Sequence, residues 1–373
     1  MDEFVKIQTI ISQARDSSSP ESRRVRNVRC QFLVHRTELL SNWVKARFPH
    51  PHPVIEPASA DASFRRYFRL RFVGGAPARI IMDAPPDKED SRPFVAVCAL
   101  LDCAGINVPR VIEADLENGF LLLADLGTQT YLSALRADKS VADALYRDAI
   151  DTLVRMQVGA SAQGLANYDR ELLLRELELL PEWYIARHRA FELDARQRAA
   201  LGRTFETLIA NNLAQSRVFV HRDYHTRNLM VCAPADGTGA NPGVLDFQDA
   251  VLGPITYDLV SLLKDAYVEW DEERVLDWAI RYWESARRAG LPVNSEFGEF
   301  YRDFEWMGLQ RHLKVLGIFA RLDQRDGKAQ YLADLPQVMR YVRKTCERYS
   351  AFTPLLRILD AVEKTGVRPG YTF

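Results

Sequence analysis

The chain has 373 residues, of which 47% are hydrophobic and 27% charged, and its formal net charge is −1. This composition is typical of a globular protein with a large core, and the length favours about two domains. The balanced charge gives no reason to expect nucleic acid or an anionic membrane as a partner. No run of apolar residues is long enough to predict a transmembrane helix.

The first residues and the cysteines indicate where in the cell the protein is expected. The N-terminus, Met1 to Phe4, lacks an apolar signal core, so secretion is not expected. The five cysteines are scattered and lack CxxC spacing: Cys30, Cys98, Cys103, Cys232 and Cys346. We therefore predict free thiols, no zinc site and a cytoplasmic protein.

Residues 1–30 are predicted to form a weakly ordered extension, and a basic interaction arm is the alternative. Residues 31–48 have apolar residues at helical spacing and are followed by helix-stopping prolines. We expect these residues to open a nucleotide-binding lobe that covers 31–126.

Strand patterns follow the helix. In FRRYFRLRF, at 64–72, Phe68, Leu70 and Phe72 alternate with arginines, and Gly74-Gly75 predicts a turn. Four segments are predicted to be strands: 64–72, 78–82, 108–112 and 120–123. Residues 92–104 are predicted to form the one helix among them, ending at Gly105.

From residue 127 to 373 the pattern is mainly helical and predicts a second, larger lobe. Three amphipathic segments come first, beginning near 141, 170 and 194. Two short apolar strands interrupt them, at 218–220 and 243–245, with a predicted hairpin loop at 233–242. Helices resume at Leu259 and break near Gly290 and Gly327.

The strongest signal is the segment His221 to Asn228 together with Asp246. Asp223, Asn228 and Asp246 have the order and spacing of a kinase catalytic loop and metal-binding strand, H-R-D-x-x-x-x-N followed by D-F-x. Phosphoryl transfer needs a carboxylate to orient the attacking hydroxyl and Mg²⁺ to neutralise phosphate charge. We therefore predict Asp223 as the catalytic base, Asn228 and Asp246 as Mg²⁺ ligands, and ATP as the phosphate donor.

A segment of small residues at 59–63 precedes the arginine-rich strand. In a kinase-like lobe, a phosphate-covering loop lies at this place, and small residues let backbone N–H groups approach phosphates. We therefore predict Ser63 and Phe64 as ATP contacts. The loop has no glycine, and an ordinary hairpin turn is the alternative.

Two stretches, HRDYHTRNLM and LDFQDAVLGPITYDLVSLL, resemble the aminoglycoside phosphotransferase and choline kinase superfamily. Further segments are similar to one group within it, the bacterial anomeric kinases of N-acetylmuramate and N-acetylglucosamine used in cell-wall recycling: DASFRRYFR, MDAPPDKEDSRPFV, LLLADLG and DFQDAVLGPITYDLVSLLKDAY. The resemblance covers roughly residues 35 to 350.

The resemblance implies a protein-kinase-like, two-lobed α+β fold and ATP-dependent phosphorylation of the C1 hydroxyl of a small sugar. The product would be a sugar 1-phosphate, ready for conversion to a UDP-sugar. The resemblance also implies that Ala124, Asp125 and Leu126 form the hinge strand whose backbone meets adenine. We expect the protein to act as a monomer.

The sequence departs from protein kinases in three ways. The third-strand lysine is absent from the stretch Arg79 to Asp83, and Arg79 or Lys88 could supply the charge. Gln248 replaces the glycine of DFG, so its side chain could face substrate. No APE-type motif follows, which favours a small-molecule kinase.

Four residues are weaker candidates for substrate contacts: His225, Gln248, Asp249 and Arg311. A guanidinium such as that of Arg311 can bind a carboxylate bidentately, although a solvated or paired face is the alternative. A structural role is the alternative for both His225 and Asp249. Asp258 is expected to cap the following helix and brace the catalytic loop. Two other functions stay open: an aminoglycoside or amino-alcohol phosphotransferase, and a nucleotide-binding pseudokinase.

Overall fold

The structure, a computed structural model, describes residues 35–60, 64–232 and 241–364. The predicted N-terminal extension, 1–30, lies outside these ranges. The chain divides into two compact units. Of the described residues, the first unit contains those from 35 to Glu89 together with Glu113–Leu123, and the second contains Asp90–Ile112 and those from Ala124 to 364.

The first unit is built on a five-stranded sheet. Its strands are β1 (Val54–Ala60), β2 (Arg66–Arg71), β3 (Arg79–Asp83), β4 (Val111–Asp115) and β5 (Phe120–Ala124). Their order is β1-β2-β3-β5-β4, with β2 antiparallel to both β1 and β3. Helix α1 covers 35–47 and lies within the range predicted to be helical, 31–48.

The core of the first unit explains this arrangement. Leu40, Trp43 and Val44 recur at helical spacing on α1 and are buried in one cluster with sheet residues such as Leu70 and Phe120. An amphipathic helix covers one face of a sheet in this way because both bury their apolar sides together.

Two sequence predictions in this unit need correction. Strand β1 was not predicted because Pro57 interrupts its pattern, but β1 lies at the sheet edge, where proline is tolerated. Its last residues, Ser59 and Ala60, pair with β2, so they do not belong to a loop. Strand β4 begins at Val111 instead of 108, since Pro109 lacks the N–H that a strand ladder uses.

The second unit is mainly helical. Its helices are α2 (Arg92–Cys103), α3 (Tyr131–Ala137), α4 (Ala142–Gly159), α5 (Arg170–Leu177), a π-helix (Leu180–His188), α6 (Ala195–Ala214), α7 (Tyr257–Leu263), α8 (Glu272–Arg288), α9 (Phe297–Asp326), α10 (Leu335–Arg348) and α11 (Thr353–Glu363). Short 3₁₀ turns cover Lys139–Val141, Ala329–Asp334 and Ser350–Phe352.

Helix α9 runs through the buried part of this unit. It passes the π-helix at Gly317, where a Cβ would lie 2.5 Å from the backbone of Leu179, so only glycine permits the contact. Helix α9 ends at Gly327, which has a φ of 65°. The single helix predicted over 170–188 is instead two helices, α5 and the π-helix. Pro181, near the start of the π-helix, has no backbone N–H with which to continue the hydrogen bonding of α5.

Short strands position the catalytic loop. Strand β7 (Arg217–Val220) is antiparallel to β10 (Val251–Pro254), which pairs in parallel with β6 (Ala166–Asn167). Strands β8 (Leu229–Met230) and β9 (Gly243–Val244) form an antiparallel pair. The predicted hairpin loop therefore joins β8 to β9, whereas β7, the first of the two predicted strands, pairs with β10 instead of β9. Residues 233–240 of the loop lie outside the described residues.

No helix within the described ranges has both the length and the apolar character that a membrane span requires.

Candidate active site

The catalytic loop, His221 to Asn228, starts where β7 ends. The carboxylate of Asp258 accepts the backbone N–H groups of His221 at 2.7 Å and of Arg222 at 2.9 Å. Arg222 has a φ of 77°, a left-handed conformation that is uncommon for a residue with a side chain. Asp258 therefore braces the loop in an unusual shape.

The expectation that Asp258 caps the following helix is wrong. Helix α7 begins at Tyr257, and Asp258, inside its first turn, turns its carboxylate to the loop instead of capping the helix. Burial raises the pKa of Asp258 to about 7, although the two N–H donors oppose that rise.

The structure brings the three predicted catalytic residues together. The side-chain amide of Asn228 donates to the backbone oxygen of Asp223 at 3.0 Å and to Oδ2 of Asp246 at 3.3 Å. A backbone hydrogen bond from Leu245 to Asn228, at 2.9 Å, joins the two segments. Asp246 follows β9 with a φ of 64°, so its side chain leaves the strand direction at a sharp turn.

The donor atoms around Asp246 suit a hard divalent cation. Nε2 of Gln248 donates to Oδ1 of Asp246 at 2.8 Å, and Oε1 of Gln248 is buried without a hydrogen-bond partner. The described residues contain no group of three or more His, Cys, Asp or Glu side chains that could hold a metal ion. Magnesium fits such a sparse set, since it binds one or two carboxylates and completes its shell with water and phosphate oxygens.

A buried charged cluster lies behind the catalytic loop. Glu176 of α5 pairs with Arg222 at 2.5 Å and with Lys314 of α9 at 2.9 Å, and it accepts the hydroxyl of Tyr168. Burial raises the pKa of Glu176, but Lys314 and Arg222 outweigh it and lower that pKa below its ordinary value. Glu176 is thus an ionised carboxylate between two cations. No motif in the sequence indicated it or Lys314.

The carboxylate of Asp223 faces this positive charge. Nη2 of Arg311 lies 3.9 Å from its Oδ1, and 38% of the Asp223 side chain is exposed. Partial burial raises the pKa of Asp223, but the positive charges of Lys314 and Arg311 outweigh burial and lower it to about 2. Asp223 is therefore ionised throughout the neutral range and open to a ligand.

The two histidines of the loop are buried. The N–H of Asp223 lies 3.2 Å from Nδ1 of His221, and burial lowers the pKa of His221 to about 4. The ring of His225 meets Tyr267 edge-on, with 5.5 Å between ring centroids, and its Nδ1 has no hydrogen-bond partner. Burial also lowers the pKa of His225, so both rings are neutral at physiological pH.

The residues after Asp246 form a turn. Phe247 is buried against Phe94 of α2, with 4.9 Å between ring centroids, and this packing fixes the segment. Asp249 is exposed, and its backbone oxygen accepts from the Arg222 guanidinium at 3.4 Å. The structure thus places Gln248 beside Asp246, whereas the Asp249 side chain points to solvent.

Of the described residues predicted to contact ATP, Phe64 belongs to the first unit, and Ala124, Asp125 and Leu126 belong to the second. Ser63 lies outside the described residues. In the first unit, Phe64 has 64% of its surface exposed, and its N–H donates to Glu89 at 3.1 Å. In the second unit, the Ala124 N–H donates to the backbone oxygen of Arg110 at 2.9 Å, and the Asp125 carboxylate accepts the N–H of Gly127 at 2.9 Å. The Leu126 oxygen lies 3.6 Å from the thiol of Cys232.

The third strand lacks the kinase lysine, as its sequence shows, and ends in a buried carboxylate. Asp83, at the end of β3, is fully buried and accepts from both Arg36 and Arg66. Arg79 donates to its own neighbour's carbonyl at 3.4 Å, and Lys88 lies 3.3 Å from Asp87 at the surface. Sequence reasoning missed this arginine–aspartate cluster.

A braced H-R-D loop beside an asparagine and an aspartate, on a β-rich unit followed by a helical one, defines a phosphotransferase with the protein-kinase-like fold. A solved structure, the GDP complex of an aminoglycoside 2′-phosphotransferase-IIIa mutant, has the same fold. The two align with a TM-score of 0.56 and 15% identity, over 81% of this chain and 96% of that one. The predicted fold class is confirmed.

The sequence comparisons define the family. The model of the phosphotransferase enzyme family matches residues 54–292, and the chain belongs to this family. A relative from Neisseria meningitidis serogroup B, an N-acetylmuramate/N-acetylglucosamine kinase, is 48% identical over 91% of this chain and 100% of its own length. A relative of the same name from Pseudomonas aeruginosa is 50% identical over 88% of this chain and 97% of its own. The predicted resemblance is confirmed.

Proposed function

We propose that this protein uses ATP to phosphorylate the anomeric C1 hydroxyl of N-acetylmuramate and N-acetylglucosamine. The substrate class is supported by relatives of that name at 48% and 50% identity over about nine-tenths of the chain. The chemistry is supported by one observation above all, the Asn228 amide that lies between Asp223 and Asp246. A pseudokinase usually lacks one of these residues, so their presence favours turnover.

Asp223 orients the sugar hydroxyl in this proposal. With a pKa near 2, its carboxylate is a weak base but a permanent hydrogen-bond acceptor. The loose transition state of phosphoryl transfer requires positioning more than early proton removal. An anomeric hydroxyl is more acidic than an ordinary alcohol, so one ionised carboxylate gives sufficient help as the proton leaves.

Asn228 and Asp246 would hold Mg²⁺, with Gln248 keeping the Asp246 carboxylate in place through its amide. When bound, the ion neutralises charge on the phosphates. Ser63 and Phe64 are proposed contacts to the phosphates, and the backbone of Ala124 to Leu126 is proposed to meet adenine.

Arg311, His225, Gln248 and Asp249 remain proposed substrate contacts. Arg311 has the best support among them, because its buried guanidinium lies beside the carboxylate that receives the hydroxyl. A cation there would attract an oxygen of the sugar and keep Asp223 ionised.

The product, a sugar 1-phosphate, has the chemistry that a nucleotidyltransferase needs to make a UDP-sugar. We propose that this step serves the recycling of peptidoglycan sugars, and that the protein acts as a monomer in the cytoplasm.

An acceptor panel tests the function directly. The purified protein is incubated with Mg-ATP and N-acetylmuramate, N-acetylglucosamine, other hexoses, choline or an aminoglycoside, and products are identified by ³¹P NMR. We expect a phosphate signal coupled to H1 of the two N-acetyl sugars. Phosphate on choline or an aminoglycoside would replace the substrate assignment. Nucleotide binding without any product would favour a pseudokinase.

A further inference from the structure

Arg227, the residue before Asn228 in the catalytic loop, has an unusual environment. Its guanidinium carbon lies 4.4 Å from the ring centroid of Tyr267 and 5.7 Å from that of Tyr331. The side chain is exposed, and it forms no ion pair with any carboxylate of the described residues. The guanidinium also donates hydrogen bonds to the side chains of Tyr267 and Tyr331. Because an arginine has five N–H donors, the others remain available to a ligand.

The rings are fixed to the same loop that carries the catalytic aspartate. Asp265, which is buried, accepts the N–H of Thr226 at 3.1 Å as well as its hydroxyl. The same carboxylate accepts the N–H of Tyr267 at 3.1 Å. One buried side chain thus holds both the loop and the first ring, so the fold defines the position of Arg227 relative to Asp223.

The second ring is also held. Phe319 of α9 packs against both tyrosines, with centroid distances of 6.2 Å to Tyr267 and 5.3 Å to Tyr331. Arg227, Tyr267, Phe319 and Tyr331 form what we call the Arg227 clamp. A side chain preorganised in this way loses little rotamer freedom when it binds.

One acid near the clamp, Asp334, forms no ion pair with Arg227 in the described part of the chain. Burial raises the pKa of Asp334 above its ordinary value, and the positive charges of Arg227 and Arg136 oppose that rise only in part. A planar guanidinium without a carboxylate partner matches a planar carboxylate on the substrate, since two parallel N–H···O bonds can form.

The two sugars of the proposed function differ in this group. N-acetylmuramate carries a lactyl ether with a carboxylate, and N-acetylglucosamine has a hydroxyl at that position. We propose that the Arg227 clamp binds the lactyl carboxylate and so sets the preference for the acidic sugar. This inference rests on the proposed sugar kinase activity and adds to it the residue that discriminates between the two substrates.

Arg227→Gln and Arg227→Lys test the clamp, and Arg287→Gln is the matched control. Arg287 also lies over a ring, 4.6 Å from the centroid of Trp283, but on α8 outside the catalytic loop. For each protein, kcat and KM are measured with both sugars. Binding of each sugar in the absence of ATP is measured by titration calorimetry.

For Arg227→Gln we expect KM for N-acetylmuramate to rise roughly ten- to a hundred-fold, as expected for loss of a charge-assisted hydrogen bond. KM for N-acetylglucosamine and both kcat values should change by less than about twofold, because uniform binding is lost for one substrate only. Arg227→Lys should recover part of the affinity, since it keeps the charge without the fork. Arg287→Gln should match the wild type with both sugars.

Equal losses on both sugars would overturn the inference, because Arg227 would then serve chemistry common to both. An unchanged ratio of KM values would overturn it as well, as would a wild type that binds only N-acetylglucosamine. A wild type that phosphorylates neither sugar would instead overturn the proposed function. The two failures are therefore distinguishable in one set of assays.

Discussion

The two arginines of the catalytic loop lie in different electrostatic environments. Arg222 is 19% exposed and pairs with the buried carboxylate of Glu176 at 2.5 Å, while its backbone is held by Asp258. Arg227 is exposed, rests on Tyr267 and has no ion pair among the described residues. A buried charge needs a partner inside the protein, and an exposed one does not.

The difference separates scaffold from binding group within one loop. Arg222 is committed to a partner, so it supports the shape of the loop and contributes positive charge behind Asp223. Arg227 is held by Tyr267 and Tyr331 but pairs with no carboxylate of the described residues, as expected for a residue that meets a ligand. Residue type alone would have treated the two arginines alike.

The largest effect is expected at Asp223, which lies between the two arginines in the sequence. Asp223→Asn removes the charged acceptor for the sugar hydroxyl, so kcat should fall about 10²- to 10⁴-fold, as is usual for loss of a catalytic acid or base. The melting temperature should stay close to that of the wild type, since part of the side chain is exposed. Steady-state assays and thermal unfolding check both statements.

Asp277→Asn is the control for this change. Asp277 is an exposed acid that pairs with Arg281 at 2.8 Å on α8, and its loss should leave kcat unchanged. A nearly wild-type rate for Asp223→Asn would contradict the assigned role.

The next largest effect is expected for Glu176→Gln, which removes the buried carboxylate that pairs with Arg222. Arg222 and Lys314 would lose their buried carboxylate, and breaking such a pair costs about 3–5 kcal/mol in the free energy of unfolding. Urea titration measures the change. Glu171→Gln on the same helix removes an exposed partner of Arg175 and should have a far smaller effect. Equal effects at the two positions would show that burial of the pair is unimportant.

Asp258→Asn weakens the backbone brace of Arg222. An amide cannot accept hydrogen bonds from both N–H groups as effectively as a carboxylate does. The free energy of unfolding should therefore fall by about 1–3 kcal/mol. The pKa of Asp258 is raised in the folded state, from 3.8 to about 7. Between these values the unfolded chain holds fewer protons, so the contribution of Asp258 to stability decreases as pH rises.

The difference in stability between wild type and Asp258→Asn should therefore shrink from pH 4 toward pH 7. Urea titrations across that range measure it. A difference that grows with pH would mean that the carboxylate is ionised in the folded loop.

The smallest effect on stability is expected for substitution of Arg227. Arg227→Gln loses an exposed contact with aromatic rings, so the free energy of unfolding should change by less than about 1 kcal/mol. Thermal and urea unfolding measure it beside Glu176→Gln. A loss as large as that at Glu176 would make Arg227 a scaffold residue and would remove the contrast between the two arginines.

The sequence predicts the parts of the site that depend on short-range pattern. The spacing of Asp223, Asn228 and Asp246 is local, and the strands before each segment are apolar and short, so the meeting of the three residues follows from the motif. Most helices and strands are predicted for the same reason. Strands β1, β6, β8 and β10 were not predicted. In β1, Pro57 obscures the pattern, and proline is tolerated there because β1 lies at the sheet edge.

The sequence does not predict the contacts that depend on tertiary packing. Glu176 and Lys314 look like ordinary charged residues of amphipathic helices, and only the packing of α5 and α9 beside the loop makes them partners. Asp265 and Tyr267 are tied to the loop in the same way. Asp258 was expected to brace the loop, but its relation to α7 needed the observed helix start.

The most direct test of the account follows one oxygen atom. N-acetylglucosamine labelled with ¹⁸O at C1 is incubated with Mg-ATP and either the wild type or Asp223→Asn, and the product is analysed by ³¹P NMR and mass spectrometry. We expect the wild type to form a sugar 1-phosphate in which the ¹⁸O bridges C1 and phosphorus, and the variant to form it far more slowly. Phosphate on another hydroxyl, loss of the label, or equal rates for the two proteins would contradict phosphoryl transfer to an anomeric oxygen held by Asp223.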